Sequence, residues 1–263
     1  MTRLAVIGLG EAGRIYARGF RDAGAEVRGY DLRPRPQAGV EESASPQDAV
    51  TGAEVVVSLV GAASAEQVAE DVLPFLAASA LYADFNTASP ELKARVAERA
   101  AGFGIEVADV AVLAPVPRAG IATPLLASGP GAARLAAALG PLGAPVEVID
   151  GEAGAAARLK LLRSVFTKGL ATLAIETLGA GRAAGAEEWV RAQMASELGP
   201  EGPALLERFV AGTYLHAERR EHEVRDVLDA LESSGQPAHM TRGTLAWFER
   251  IRADGLGPDQ LLR

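Results

Sequence analysis

Two groups of residues in this sequence have the types and spacing to do chemistry. The first is Gly8-Leu9-Gly10-Glu11-Ala12-Gly13, a complete G-x-G-x-x-G that follows the apolar run Leu4–Ile7, with Asp31 eighteen residues beyond Gly13. Gly8 permits a tight turn, Gly10 lets a pyrophosphate approach the main chain, and Gly13 lets the following helix pack against the strand. That helix's free N–H groups and positive dipole end suit phosphates, so all six residues are candidate dinucleotide contacts. Asp31 is placed to accept hydrogen bonds from ribose hydroxyls. Its charge disfavours a 2′-phosphate and so favours NAD over NADP. Arg33 and Arg35 lie just beyond; either could swing towards a 2′-phosphate and leave NADP open, or both could be solvated loop charges.

The second group lies on RLKLLRSVFTKGL, 158–170, which is apolar nearly all round and is therefore expected to be buried. Lys160, Ser164 and Thr167 or Lys168 fall at i, i+4 and i+7 or i+8, on one helical face. A polar stripe on a buried helix lines water or a pocket, and a buried lysine with a depressed pKa suits general acid/base work on a hydroxyl or carbonyl. A solvent-facing lysine beside a serine that satisfies a backbone carbonyl is the plain alternative.

The elements that position these residues can be read from periodicity and end signals. Strands are expected at Leu4–Ile7, Glu26–Tyr30, Glu54–Leu59, Leu81–Asp84, Ile105–Val112, Leu125–Ser128 and Pro145–Ile149. Helices are expected at Arg14–Ala23, at Ser64–Ala77 with Ser64 as cap, and from Ser89-Pro90-Glu91 onward. This alternation predicts a parallel, doubly wound sheet. Beyond Gly151 the strand pattern disappears. A long helix is expected over 154–182, then shorter ones broken at Gly199-Pro200, Gly202-Pro203, Gly235-Gln236-Pro237 and Gly257-Pro258. The expected fold class is thus α/β, with a doubly wound Rossmann domain over 1–150 and an all-helical domain over 151–263.

Composition narrows the function. The 263 residues carry a formal net charge of −8 and no basic run, which argues against nucleic acid. The absence of cysteine excludes disulfides, iron–sulfur clusters and thiolate nucleophiles, and fits a cytoplasmic protein. MTRLAVIGLG has no signal-peptide pattern, and no apolar stretch suggests a membrane span. His216, His222 and His239 have no metal-ligand spacing, so no metal is expected. TYLHAERREHEVRDV (213–227) reads as a helix with His216, Arg219 or Arg220, and Glu223 spaced for one face. Such a cluster could complete a substrate site or be a solvated, salt-bridged face.

VIGLGEAG (6–13), GYD (29–31), DFNTASP (84–90), the Asp109–Gly120 segment and GEAGAAARLKLLRS (151–164) together resemble the β-hydroxyacid dehydrogenase superfamily, in particular 6-phosphogluconate dehydrogenase-like proteins with a short helical C-terminal domain. The resemblance implies that Lys160 is the acid/base. Ser164 stands where the family usually has an asparagine that orients the substrate. It places Asn86 and Thr87 at the nicotinamide side and Val60 near the nicotinamide ribose, and it implies a homodimer joined through the helical domains. The family's substrate-carboxylate loop commonly reads D-x-P-V-S-G-G; here Leu113, Ala114 and Pro115 replace the serine and both glycines. Leu113 has no donor to offer a carboxylate and Pro115 has no N–H. Arg118 could supply a replacement anion contact or be a surface charge.

The expected function is hydride transfer between a nicotinamide cofactor and a small hydroxy or carbonyl substrate, with His216 and Arg220 as further substrate candidates. An imine reductase of the same architecture is an alternative favoured by the altered loop, although such reductases often lack the lysine. A dinucleotide-binding sensor without activity is a third reading.

Overall fold

The computed structural model describes residues 1–33 and 40–254. The chain forms two compact units, one running from Met1 to Lys160 and the other beginning at Leu161.

The first unit is built on an eight-stranded sheet: β1 Arg3–Ile7, β2 Glu26–Tyr30, β3 Glu41–Glu42, β4 Val55–Ser58, β5 Leu81–Asp84, β6 Glu106–Val112, β7 Leu125–Ser128 and β8 Val146–Val148. Their order across the sheet is β3-β2-β1-β4-β5-β6-β7-β8. The order reverses between β1 and β4, which opens a crevice at their carboxyl ends. Between the strands come α1 Glu11–Asp22, α2 Pro46–Val50, α3 Ala62–Val72, α4 Pro90–Ala101, α5 Val116–Ala119 and α6 Ala132–Leu139.

Both faces of the sheet are covered, which is why its strands read as continuous apolar runs. Leu4 and Val6 of β1 join one core layer with Tyr16, Phe20 and Leu135. Ala5 and Ile7, pointing the other way, join a second layer with Val56, Val72, Tyr82 and Val96. Tyr16 stacks on Phe20 at 5.6 Å and meets Phe85 edge-on at 5.5 Å. Burying a side chain such as Phe20 contributes about 1.5–3 kcal/mol.

The sheet departs from the expected all-parallel arrangement at one pair: β6 and β7 run antiparallel, Asp109 opposite Ser128. The link between them carries only the one-turn α5 and a short 3₁₀ turn. A parallel return needs a full crossover element. The expected cap at Ser89 holds, its hydroxyl accepting from Leu92 N–H at 3.3 Å with Pro90 at the start of the helix. The expected cap at Ser64 does not. α3 starts earlier, with Gly61 at its cap position, and Ser64 lies inside the helix. Nor does α3 reach Ala77: it ends at Val72, where the Pro74-containing segment tightens into a 3₁₀ turn. The short β3 and α2 carry too few residues for periodicity to show.

A single helix, α7 Ala155–Ala183, carries the chain from the first unit into the second. The second unit continues with α8 Glu187–Glu197, α9 Gly202–Leu215, α10 Ala217–Ser233 and α11 His239–Asp254. Its core joins Ala174, Ile175 and Leu178 of α7 with Leu206, Val210 and Ile251. Two expectations are corrected here. α7 is not buried all round: Leu162, Phe166 and Leu173 are half or more exposed, because the helices of its own unit cover only the opposite side. The segment 213–227 is not one helix: His216, at φ −124° and ψ 28°, breaks it into α9 and α10. The expected breaks at Gly199-Pro200 and Gly235-Gln236-Pro237 fall between α8 and α9 and between α10 and α11, whereas Gly202-Pro203 is not a further break but opens α9. Gly257-Pro258 lies outside the described residues.

Candidate cofactor and active site

The glycine loop follows β1 and opens α1. Gly8 has φ +94°, a left-handed conformation suited to glycine, and a Cβ there would stand 2.4 Å from the Leu59 carbonyl oxygen. A Cβ on Gly13 would stand 1.8 Å from the Gly8 carbonyl oxygen, so only glycine lets α1 sit this close to the strand. At Gly10 a Cβ would meet nothing within 4 Å. The main chain is open there to an approaching group, and Gly10 caps α1 without any side chain bonding the first-turn N–H groups. The loop therefore fits a dinucleotide pyrophosphate at the positive end of α1, over Leu9, Glu11 and Ala12.

Asp31, at the end of β2, accepts from Leu9 N–H at 2.7 Å through one oxygen and from Arg33 N–H at 2.9 Å through the other. It thus shapes the glycine loop, and each oxygen keeps a lone pair for a ribose hydroxyl. The Arg33 side chain is exposed beside it. Arg35 lies outside the described residues.

At the carboxyl ends of β4 and β5, a buried network joins the remaining predicted residues. Asn86 accepts from Val60 N–H at 2.6 Å and donates through its amide nitrogen to Ser58 Oγ at 3.0 Å and Asp84 Oδ1 at 2.6 Å. Asn86 is buried and braces Val60. Thr87, next in the chain, is exposed and accepts from Lys160 Nζ at 3.0 Å. The structure thus brings together Val60, Asn86, Thr87 and Lys160 within the first unit.

Two residues of this network were not among the sequence candidates. Lys93 of α4 is buried, with Nζ 3.1 Å from Asp84 Oδ1 and 3.3 Å from Asp109 Oδ1. Asp109 Oδ2 accepts from Gly154 N–H at 2.9 Å and Ala157 N–H at 3.1 Å, so it caps the start of α7. A sequence signal exists for Lys93. It lies at i, i+3 and i+7 with Val96 and Ala100, on the buried face of α4. It is also one of only three lysines, with Lys160 and Lys168, among the 26 lysines and arginines of the chain.

Beyond β6, Leu113 packs against the cluster of Ala111, Leu126 and Ala156, the last being one helical turn before Lys160. Leu113 N–H is spent on the Pro124 carbonyl at 3.0 Å. Arg118 stands exposed on α5, its N–H bonded to Pro115 O.

In the second unit, Ser164 and Lys168 line a recess with Thr241 and Thr244 that leaves no room for a water molecule. Lys168 pairs with Glu223 at 2.9 Å, and Arg219 reaches the same carboxylate at 2.8 Å. Burial holds the Lys168 ammonium below its ordinary pKa, with Glu223 offsetting part of that effect. Arg220 donates to Thr213 Oγ1 at 2.7 Å, while His216 is exposed at the helix break. His216 stands at the cap position of α10, its carbonyl accepting from Arg220 N–H at 3.0 Å, and Arg220 and Glu223 follow on the same helix. Among the described residues no group of three or more His, Asp or Glu side chains could hold a metal, and no helix is long and apolar enough to cross a membrane.

Parts of the chain match known families. Residues 3–149 match the family described as the NAD binding domain of 6-phosphogluconate dehydrogenase. Residues 182–251 match a domain of unknown function (DUF1932). A conserved hypothetical protein from Sinorhizobium meliloti 1021 is 31% identical, with TM-score 0.78 over 95% of this chain and 88% of that one. The 3-hydroxyisobutyrate dehydrogenase of Mycobacterium tuberculosis, solved with L-serine, is 22% identical with TM-score 0.82, over 99% and 98% of the two chains. An imine reductase variant from Myxococcus stipitatus, in complex with NAD+, is 19% identical with TM-score 0.70 over 100% of both chains. At such identities the last two establish the fold alone.

Proposed function

For a chain that belongs to the family of the 6-phosphogluconate dehydrogenase NAD binding domain, within the β-hydroxyacid dehydrogenase superfamily, we propose hydride transfer between a nicotinamide cofactor and a small hydroxy or carbonyl substrate. The observation that carries this reading is the hydrogen bond from Lys160 Nζ to Thr87 Oγ1 at 3.0 Å. It holds an ammonium at the carboxyl ends of the strands, where the glycine loop also opens.

The nicotinamide, when bound, gives or takes the hydride. Lys160 gives a proton to the carbonyl oxygen during reduction, or takes it from the hydroxyl during oxidation. Thr87 fixes Nζ for that exchange. Ser164, one helical turn beyond Lys160, orients the same oxygen. Asn86 holds the Val60 main chain, and with it the wall that faces the nicotinamide ribose. Asp31 selects NAD by accepting from the ribose hydroxyls and repelling a 2′-phosphate.

The test is absorbance at 340 nm with NAD, NADP and their reduced forms. Hydroxyacids, sugar acids, ketoacids, aldehydes and cyclic imines are offered to the wild type and to Lys160→Ala. Activity on a hydroxyl or carbonyl compound should fall by about 10²–10⁴-fold in the variant. Undiminished turnover would remove Lys160 from the acid/base role.

The loop after β6 favours a second reading. Leu113 N–H is already engaged with Pro124 and Pro115 has none to give, so this wall offers little to a substrate carboxylate. A cyclic imine needs no such donor, and imine reduction that survives Lys160→Ala would establish that activity instead. The exposed Leu162, Phe166 and Leu173 on α7 support a homodimer, with a second copy covering this face.

A further inference from the structure

We infer that Lys93 is a positioning residue that sets Lys160 against Thr87. The inference rests on the acid/base reading of Lys160 for its functional meaning, but its geometry stands alone.

Lys93 is 1% exposed. Its Nζ donates to the Asp84 carbonyl at 2.6 Å and is ion-paired with the two carboxylates, 3.1 Å from Asp84 Oδ1 and 3.3 Å from Asp109 Oδ1. Two arms leave this ammonium. One runs through Asp109 to Gly154 N–H and Ala157 N–H, with Ser128 Oγ bridging Asp109 and Ala156 N–H at 3.3 and 3.0 Å. That arm ends three residues before Lys160. The other runs through Asp84 Oδ1, which accepts from the Asn86 N–H at 2.9 Å and from its side chain, and ends at the residue before Thr87. The Lys160–Thr87 hydrogen bond joins the two ends. The chain of contacts is therefore closed: Lys93, Asp109, Ala157, Lys160, Thr87, Asn86, Asp84 and back to Lys93.

The charges explain why a lysine stands there. Two buried carboxylates face one ammonium, and the positive end of α7 answers the second negative charge. An apolar side chain would leave both carboxylates without a cation. Arginine, used widely on the surface, is planar and forked and does not reproduce a compact point charge placed between two carboxylates.

The test uses the chain's scarcity of lysine. With ¹³C-lysine incorporated, the full-length protein gives three Hε–Cε cross-peaks, assigned by Lys93→Met, Lys160→Arg and Lys168→Met. In folded Lys93→Met the Lys160 cross-peak and its pH midpoint should shift while Lys168, in the other unit, stays in place as internal control. An unmoved Lys160 peak in the folded variant overturns the inference. If Lys93→Met does not fold, Lys93→Met/Asp84→Asn restores the charge balance and should show the same displacement; a Lys160 peak at its wild-type position there would equally overturn it. The readout needs no substrate. Full turnover in Lys160→Ala would sink the acid/base reading yet leave the Lys93 coupling standing.

Discussion

Gly13 packs so closely under Gly8 that the Gly8 carbonyl oxygen occupies the place of a Gly13 side chain, 1.8 Å from where its Cβ would be. Gly10, between them, faces open space. The two glycines should therefore fail differently. Gly13→Ala forces α1 away from β1 and should cost about 1–3 kcal/mol of stability. Gly10→Ala should melt like the wild type but lose NADH affinity, because the methyl fills the approach to the main chain. Thermal melts and NADH fluorescence titrations read both; wild-type NADH binding by Gly10→Ala would place the pyrophosphate elsewhere.

Asp31 should set the cofactor preference. Asp31→Asn keeps an oxygen acceptor for Leu9 N–H but removes the charge. Hydrogen bonds to a charged group are worth about 1.5–3 kcal/mol, so NADH should bind roughly 10- to 100-fold more weakly. NADPH should lose less or gain. An unchanged ratio of the two affinities would contradict the role given to Asp31.

Lys168 makes stability depend on pH in the alkaline range. Its ammonium is held below the ordinary 10.5 by burial. The unfolded chain then binds this proton more tightly than the folded one. The cost to the fold is fully present below the folded pKa and is relieved as pH rises from there towards the unfolded value. Wild type should accordingly gain stability relative to the non-titrating Lys168→Met as pH rises through the alkaline range towards 10.5. Denaturation midpoints of the two proteins across that range provide the check, and a constant gap would refute it.

The exposed face of α7 should govern self-association. Phe166 is 67% exposed, and Phe166→Glu places a charge in the middle of the apolar stripe without touching the core of its unit. Sedimentation should show a shift from dimer to monomer with little change in melting of the monomer. A monomeric wild type would dispose of the homodimer.

Much of this was legible in the sequence where one residue decides one feature. The glycine loop, the Ser89 cap and the helix ends at glycine–proline pairs belong to this kind. What escaped depends on partners far along the chain. The sign of the β6–β7 pairing is set by how little helix lies between the strands, not by the strands themselves. The apolar residues of 158–170 suggest burial, yet Leu162 and Phe166 are exposed, because periodicity records what a face wants and not whether its own unit covers it. The spacing of Lys93 with Val96 and Ala100 places it on the buried face of α4, but its partners Asp84 and Asp109 come from two neighbouring strands and cannot be read from that spacing. His216 ends α9 although neither glycine nor proline marks the place.

With Gly154 and Ala157 pinned to Asp109, the short stretch from Ala157 to Lys160 acts as a pointer of fixed length. Each residue added to an α-helix turns everything after it by about 100° and advances it by about 1.5 Å. A single insertion between the pinned turn and Lys160 would swing the ammonium off Thr87 while leaving every side chain of the network chemically intact. Spacing along this turn is thus as much a part of the site as the residues themselves, and relatives with the same lysine but a different count from the pinned turn are expected to lack the Lys160–Thr87 contact.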